Sequence, residues 1–261
     1  EALGGNLELI ASGSAALQPR LARIFTAAGM TLVEGYGLTE TSPVISVNDM
    51  RKNKFKIGSV GQIIDGVHVK IAKDGEILCK GPNIMMGYYK DFEKTAEVMT
   101  DDYFHTGDIG EIDKQGFLKI TDRKKEMFKT SGGKYISPQV IENIMKQSLF
   151  IEQIMVVGDG RKMPTALIQP NIEYVMKWLA DNGTPSKSLE EACKEESLLK
   201  ALQKEIENYN EKFGSWERIK KFELIPEEWS IDAGHLTPTM KLKRKVVKEK
   251  YIAIIEKMYS S

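Results

Sequence analysis

The 261-residue sequence predicts a mixed α/β fold laid out in successive parts. Three observations carry this. Short apolar runs alternate with a helical repeat near the start. Residues 57–121 are dominated by strand-like runs and turn signals. After five consecutive charged residues, Asp122-Arg123-Lys124-Lys125-Glu126, the pattern shifts to longer helical repeats around two apolar strands.

The elements follow in order. Leu7 to Ser12 predicts a strand, ending in Ser12-Gly13-Ser14, and Leu17 to Ala28 a helix with Leu21, Ile24 and Phe25 on one face. Thr31 to Glu34 predicts a second strand, ending in Gly35-Tyr36-Gly37. Small residues after such strands are where α/β folds place ligand loops. Val67–Ile71 and Ile77–Cys79 flank Asp74-Gly75, a hairpin signal, and Gly116 to Thr121 reads as a strand after a turn at Asp113–Gly116. The charged run at 122–126, taken alone, reads as a solvated turn. Beyond it, Ser137-Pro138 predicts a helix start, with proline at the first helical position and Ile141, Ile144 and Met145 on its apolar face. Ile151–Val157 and Thr165–Gln169 predict strands. Ser188 with Glu191 matches a capping box. Leu199, Leu202, Ile206, Tyr209 and Phe213 mark an amphipathic helix, and Val247, Tyr251, Ile254 and Met258 a closing one.

Bulk properties exclude several functions. Lys plus Arg and Asp plus Glu both number 37, so no net basic charge favours nucleic acid. Cys79 and Cys193 lack CxxC spacing, which fits a reducing compartment rather than a disulfide framework. His68, His105 and His235 are too scattered for a metal site. The longest uncharged run, Leu9 to Pro19, is far short of the ~20 residues a spanning helix needs. The opening Glu1-Ala2-Leu3-Gly4-Gly5 has neither an initiator Met nor a signal-peptide pattern, and reads as a chain cut from something longer.

Four segments carry chemistry. In Glu34-Gly35-Tyr36-Gly37-Leu38-Thr39-Glu40-Thr41, two glycines around an aromatic let the backbone approach a flat ligand while the ring stacks on it. Thr39 then offers a hydroxyl for a phosphate oxygen, and Glu40 a carboxylate for Mg²⁺. In Tyr103-Phe104-His105-Thr106-Gly107-Asp108, the carboxylate after a glycine turn suits ribose hydroxyls, although Gly-Asp is also an ordinary turn. Arg123 in the charged run suits ribose or phosphate oxygens, and Ser131-Gly132-Gly133 after it lets a backbone edge lie against a narrow ligand. In Leu236-Thr237-Pro238-Thr239-Met240-Lys241-Leu242-Lys243-Arg244, a lysine beyond a Thr-Pro turn can enter a site as a point charge. The competing interpretation is a basic surface, since Lys241 to Lys250 holds six basic residues and one acid.

In this order, the four segments resemble the adenylate-forming, AMP-binding superfamily of acyl-CoA synthetases, beetle luciferases and peptide-synthetase adenylation domains. The wording of residues 129–136 and 236–244 resembles long-chain fatty acid–CoA ligases, and the helical stretch at 171–213 suits that subgroup. Most relatives carry Gly where Met240 stands.

The resemblance implies an α/β fold: part of a large AMP-binding domain with a β-barrel-like subdomain at 1–121, a hinge at 122–126, and a small α+β C-terminal domain at 127–261. It implies that Gly13, Ser14 and Ala15 lie along adenine, with Gly35, Tyr36 and Gly37 beside it. Thr39 would contact phosphate, Glu40 would hold Mg²⁺, and Asp108 and Arg123 would bind ribose. Lys125 would be the hinge, Gly132 and Gly133 would border the pantetheine tunnel of CoA, and Lys241 would be the catalytic lysine. The implied activity is ATP-dependent conversion of a fatty acid to acyl-AMP and then to acyl-CoA. The superfamily's Ser/Thr/Gly-rich phosphate loop has no match here, so these residues alone are expected to be inactive. Loading of a carrier protein and a non-catalytic nucleotide-binding or interaction module remain as alternatives. A cytoplasmic location is expected, with peripheral membrane association open.

Overall fold

The computed structural model describes residues 4–50 and 54–260. Glu1, Ala2 and Leu3 of the opening segment lie outside the described residues. The chain forms two compact units, residues 1–125 and 126–261.

The first unit begins with β1 (Ile10–Ser12), α1 (Pro19–Ala27) and β2 (Leu32–Tyr36). β1 is shorter than the expected strand at its start: Leu7 and Leu9 are exposed, with no buried face to hold them extended. β2 instead runs on through Gly35 and Tyr36, because Tyr36 is drawn into the core. β1 and β2 are parallel, with Ser12 opposite Glu34. β3 (Ser46–Val47) and β4 (Gln62–Ile63) extend the sheet antiparallel, in the order β1-β2-β3-β4.

A second sheet holds β5 (His68–Ile71), β6 (Glu76–Lys80), β7 (Met99–Thr100), β8 (Tyr103–Ile112) and β9 (Leu118–Arg123), with α2 (Phe92–Glu97) before β7. The Asp74-Gly75 hairpin joins β5 to β6, and Gly75 takes φ +87°, a conformation glycine adopts without strain. Two backbone bonds, Val60 N–H to Leu118 O and Leu118 N–H to Gly61 O, stitch the start of β9 to the strand at β4. The two sheets thereby curl around one core of Tyr36, Ile45, Val67, Ile77, Phe104 and Leu118. Gly61 is confined to glycine there: a Cβ would lie 1.9 Å from the Val47 carbonyl carbon.

The charged run is not a uniform solvated turn. Asp122 and Arg123 are paired in β9, and Asp122 is fully buried. A carboxylate is tolerated in such a place only with hydrogen-bond donors, and the Arg123 N–H donates to Asp122 Oδ1 at 2.6 Å.

The second unit contains the hairpin β10 (Phe128–Lys129) and β11 (Tyr135–Ile136), α3 (Pro138–Met145), β12 (Ile151–Val157), β13 (Thr165–Pro170), α4 (Ile172–Asp181), α5 (Leu189–Ala192), α6 (Glu196–Asn210), β14 (Lys221–Leu224), α7 (Arg244–Lys250) and α8 (Ile252–Ser260). Its sheet has the order β12-β13-β14, antiparallel and then parallel. Both faces are covered, which period-two alternation explains. Ile154, Val156, Ala166 and Ile168 join a core with α3, α4 and α6. Met155, Val157 and Leu167 join another with Trp229, Leu236, Val247, Tyr251 and Met258.

Three local expectations shift. α6 buries Leu198, Leu202 and Ile206, while Leu199 stands at the surface, so its apolar face is turned by one residue at the first turn. The closing helix is two helices separated at Tyr251, whose ring packs by Trp229 and whose hydroxyl donates to Glu227 Oε2 at 2.7 Å. The capping box is half formed: Ser188 Oγ accepts the Glu191 N–H, but the Glu191 carboxylate takes the Lys187 N–H instead.

Candidate functional site

Loops at the carboxyl end of the parallel pair β1–β2 bring the first candidate residues together. Gly13, Ser14 and Ala15 follow β1 as an exposed loop, with Ser14 at φ +67°. Gly13 faces the other glycine segment, and a Cβ on it would lie in ordinary contact, 3.8 Å from Gly35 O. Gly37 leaves no room for any side chain, because a Cβ would sit 1.6 Å from Pro43 O.

Tyr36 points inward from β2. Its hydroxyl donates to Asp108 Oδ2 at 2.8 Å. Burial, and then the Asp108 charge, push the phenol above its ordinary range, so it remains a proton donor. The other Asp108 oxygen, Oδ1, pairs with Arg123 Nε at 3.0 Å. Asp108 itself is only 4% exposed.

A local irregularity in β8 aims this carboxylate. β6 pairs Glu76 with Ile109 and Leu78 with His105, so residues 106–108 bulge from the ladder. Gly107 adopts φ +71° at the bulge. Thr106 Oγ1 donates to Ile77 O at 2.7 Å and accepts the Asp108 N–H at 3.1 Å. On the other side, β8 and β9 place Asp108 directly opposite Arg123.

The Thr39–Thr41 segment forms a 3₁₀ turn. Thr41 Oγ1 accepts the Leu38 N–H at 2.9 Å and closes the turn, leaving Thr39 exposed. Glu40 is half-buried, and its Oε1 accepts a 2.9 Å hydrogen bond from the Tyr88 hydroxyl. Burial, followed by this bond, raises the Tyr88 pKa. Sequence reasoning passed over Tyr88, although an aromatic after Gly87 repeats the signal read at Gly35-Tyr36.

A cluster at the end of β9 was also missed. Lys124 Nζ lies 2.8 Å from both Asp74 Oδ2 and Glu76 Oε2. The buried Glu76 also meets His105 Nδ1 at 3.0 Å and accepts the Gly107 N–H at 3.0 Å. Lys125, the next residue, ends the first unit.

The remaining candidates lie in the second unit. Gly132 and Gly133 form the tip of the β10–β11 hairpin, with Gly133 at φ +79° and its N–H bonded to Thr130 O. Lys241 sits in a tight loop closed by a Leu236–Leu242 bridge. Inside it, Thr237 N–H donates to Lys241 O at 2.8 Å, Met240 N–H donates to Thr237 O at 2.8 Å, and Lys241 N–H donates to Thr237 Oγ1 at 3.0 Å. Met240 takes φ +61°, a left-handed conformation that glycine accepts more readily.

Neither thiol is set up as a nucleophile. Burial pushes Cys79 up to about 12, and burial followed by Glu190 pushes Cys193 up to about 11.

The profile described as "AMP-binding enzyme" matches residues 1–89, and that described as "AMP-binding enzyme C-terminal domain" matches residues 126–261. The chain is 40% identical over 260 residues to the long-chain-fatty-acid–CoA ligase FadD15 of Mycobacterium bovis, covering 99% of this chain and 43% of that protein. It is 34% identical over 277 residues to the peroxisomal long chain acyl-CoA synthetase 7 of Arabidopsis thaliana, covering all of this chain and 40% of the relative. The chain thus spans less than half the length of these relatives. Among solved structures, the A domain of the Segniliparus rugosus carboxylic acid reductase, in complex with AMP and a co-purified carboxylic acid, superposes with a TM-score of 0.76 at 25% identity, covering 96% of this chain and 39% of that one. The adenylation domain of the Mycobacterium chelonae carboxylate reductase shares the fold, with a TM-score of 0.75 at 22% identity over 96% of this chain and 38% of that one. With one profile spanning the whole second unit and the other the first 89 residues, the chain belongs to the AMP-binding enzyme family.

Proposed function

We propose that this chain is the nucleotide- and acyl-transfer part of a long-chain fatty acid–CoA ligase that forms acyl-AMP from a fatty acid and ATP and passes the acyl group to CoA. The observation that carries the reading is the Asp108 carboxylate, fixed between Tyr36 and Arg123 beside two glycine loops at the end of parallel strands. Exposed glycine backbone next to a fixed carboxylate suits a flat base joined to a diol.

In the proposed roles, Gly13, Ser14, Ala15, Gly35 and Gly37 border the adenine and Tyr36 its ring face. The buried setting of Tyr36 adds a task, that of holding Asp108. Asp108 and Arg123 take the ribose hydroxyls. Thr39 donates to phosphate. Magnesium fits the donor set: Glu40 supplies one hard carboxylate oxygen site, and Mg²⁺ is commonly held by one or two carboxylates plus substrate phosphates. Among the described residues no cluster of three or more His, Cys, Asp or Glu would hold a metal without substrate. When bound, the ion would offset phosphate charge.

The fatty carboxylate attacks the α-phosphorus of ATP and pyrophosphate leaves. Two anions meet in that step, and Lys241 neutralises them; such electrostatic help is typically worth several kcal/mol. The CoA thiolate then attacks the acyl carbonyl and AMP departs, with Gly132 and Gly133 lining the thiol's approach. The division of the chain after Lys125 supports a hinge there, about which the second unit exchanges Lys241 for the glycine pair. Nothing in these 261 residues matches a phosphate loop, so adenylation is expected to need residues beyond them. Among the described residues no helix is long and apolar enough to cross a membrane, and fatty acid is expected to reach the site from water or a membrane surface.

The test uses the complete gene product with ATP, palmitate and CoA. Lys241→Ala should abolish adenylation while sparing thioesterification of supplied palmitoyl-adenylate. Equal loss of both steps contradicts the role. A carrier protein offered beside CoA separates the two possible acceptors.

A further inference from the structure

The loop that carries Lys241 is anchored by a buried ion pair. Arg244 opens α7, and Lys243 alone separates it from the Leu236–Leu242 bridge at the base of the loop. Its Nη1 donates to Glu142 Oε1 at 2.6 Å, and its Nη2 donates to Val156 O at 2.6 Å. Glu142, on α3, also accepts the Val156 N–H at 2.7 Å on the same Oε1. Arg244 and Glu142 thus grip Val156 from both its amide and its carbonyl. Val156 lies on β12, an edge strand of its sheet, and is fully buried. A buried edge with no strand beyond it leaves backbone groups unsatisfied, at a cost comparable to lost hydrogen bonds. Here an ion pair serves in place of a further strand. Both partners are largely withdrawn from water, with side-chain exposures of 20% and 10%. Burial raises the Glu142 pKa, against the pull of Arg244 and the Val156 N–H.

The opposite end of the loop base is also tied down: Lys243 N–H donates to the carbonyl of the buried His235 at 2.8 Å. The internal bonds of residues 237–241 close a small ring, so its orientation follows that of its base. Leu236 and Leu242 at the base pack into the core that holds Met155 and Val157 of β12, and the Arg244–Glu142–Val156 set adds a polar tie to both α3 and β12.

We propose that Arg244, held by Glu142, is a positioning residue for Lys241, fixing the lysine-bearing loop against α3 and β12 so that the ammonium stands ready for the adenylation step. The inference rests on the reading of Lys241 given above. Lysine at position 244 keeps the charge but lacks the planar fork that spans a carboxylate and a carbonyl together, so conservative replacement does not rescue.

The experiment compares Arg244→Lys, Glu142→Gln and Lys241→Ala in the complete gene product. It follows both half-reactions, the melting temperature and amide exchange at Met240 and Lys241. For Arg244→Lys, adenylation should fall about 10- to 100-fold, the scale expected when a reacting group is misplaced by about an ångström. Thioesterification of supplied acyl-adenylate should stay near the unsubstituted rate, and exchange at Met240 and Lys241 should accelerate. Glu142→Gln keeps the shape without the charge and should show the same split, which preserves the test if Arg244→Lys melts below the assay temperature. Unchanged adenylation in these variants, or an equal fall in both half-reactions, overturns the inference. Intact adenylation in Lys241→Ala overturns the role of the lysine and the inference with it. Lost adenylation in Lys241→Ala beside full adenylation in Arg244→Lys overturns the inference alone.

Discussion

Tyr36 and Asp108, 72 positions apart, are joined by a 2.8 Å hydrogen bond in which the phenol donates to the buried carboxylate. Tyr36→Phe keeps the ring in its core and removes the donor. A buried acceptor that loses a partner typically costs about 1–3 kcal/mol, and more when it is charged. A urea midpoint lowered accordingly, with an unchanged slope, is expected. A midpoint equal to that of the parent would show that Asp108 is satisfied without the phenol.

The two glycine segments should differ sharply in their tolerance of alanine. At Gly37 a Cβ meets Pro43 O at 1.6 Å, while at Gly132 the nearest atom is Thr130 Oγ1 at 3.9 Å. Gly37→Ala should cost about 3 kcal/mol or more, through forced backbone movement. Gly132→Ala should stay within about 0.5 kcal/mol, as surface substitutions generally do. Thermal melts of both variants check the contrast.

Met240 is strained by its φ of +61°. Replacement by glycine should leave the melting temperature the same or higher, since relief of a left-handed conformation, worth about 1–2 kcal/mol, opposes the greater freedom of an unfolded glycine. Met240→Val should lower it, because β-branching makes that conformation worse. A stabilising valine would contradict the assigned backbone.

The Asp74–Glu76–Lys124 cluster should make the first unit acid-sensitive. Hydrogen bonding from Lys124, and then from the Glu76 N–H, lowers the Asp74 pKa. Burial pushes the Glu76 carboxyl up, but Lys124, His105 and the Gly107 N–H outweigh it and the net shift is downward. A depressed folded pKa stabilises above the unfolded value, about 4, and that contribution fades as pH falls through the folded value. The melting temperature should therefore drop below about pH 4, and Glu76→Gln should flatten that drop. An unaltered acid limb in Glu76→Gln would assign the sensitivity elsewhere.

Much of the fold is legible locally. Asp74-Gly75 marks its hairpin because the turn requires a positive φ that glycine supplies. Ser137-Pro138 marks the start of α3, since proline suits the first helical turn. The apolar runs at Ile151–Val157 and Thr165–Pro170 announce buried strands because both faces of that sheet are covered. Tyr36, Thr39, Glu40, Asp108, Arg123 and Lys241 stand out by residue type and order as candidates.

The sequence by itself therefore determined the α/β layout, the family likeness and the candidate side chains for chemistry, because turn chemistry, periodicity and motif order act over a few residues. Tertiary structure alone decided what those side chains touch. Asp108 faces Arg123 only through the β8–β9 register and reaches Tyr36 from the bulge at 106–108. Asp122, read as part of a solvated run, is buried by the ladder that holds it. Glu142 finds Arg244 across 102 positions at a strand edge. Whether a charge is solvated or buried depends on partners brought by distant strands, and those pairings are set by register and packing, which no local pattern encodes.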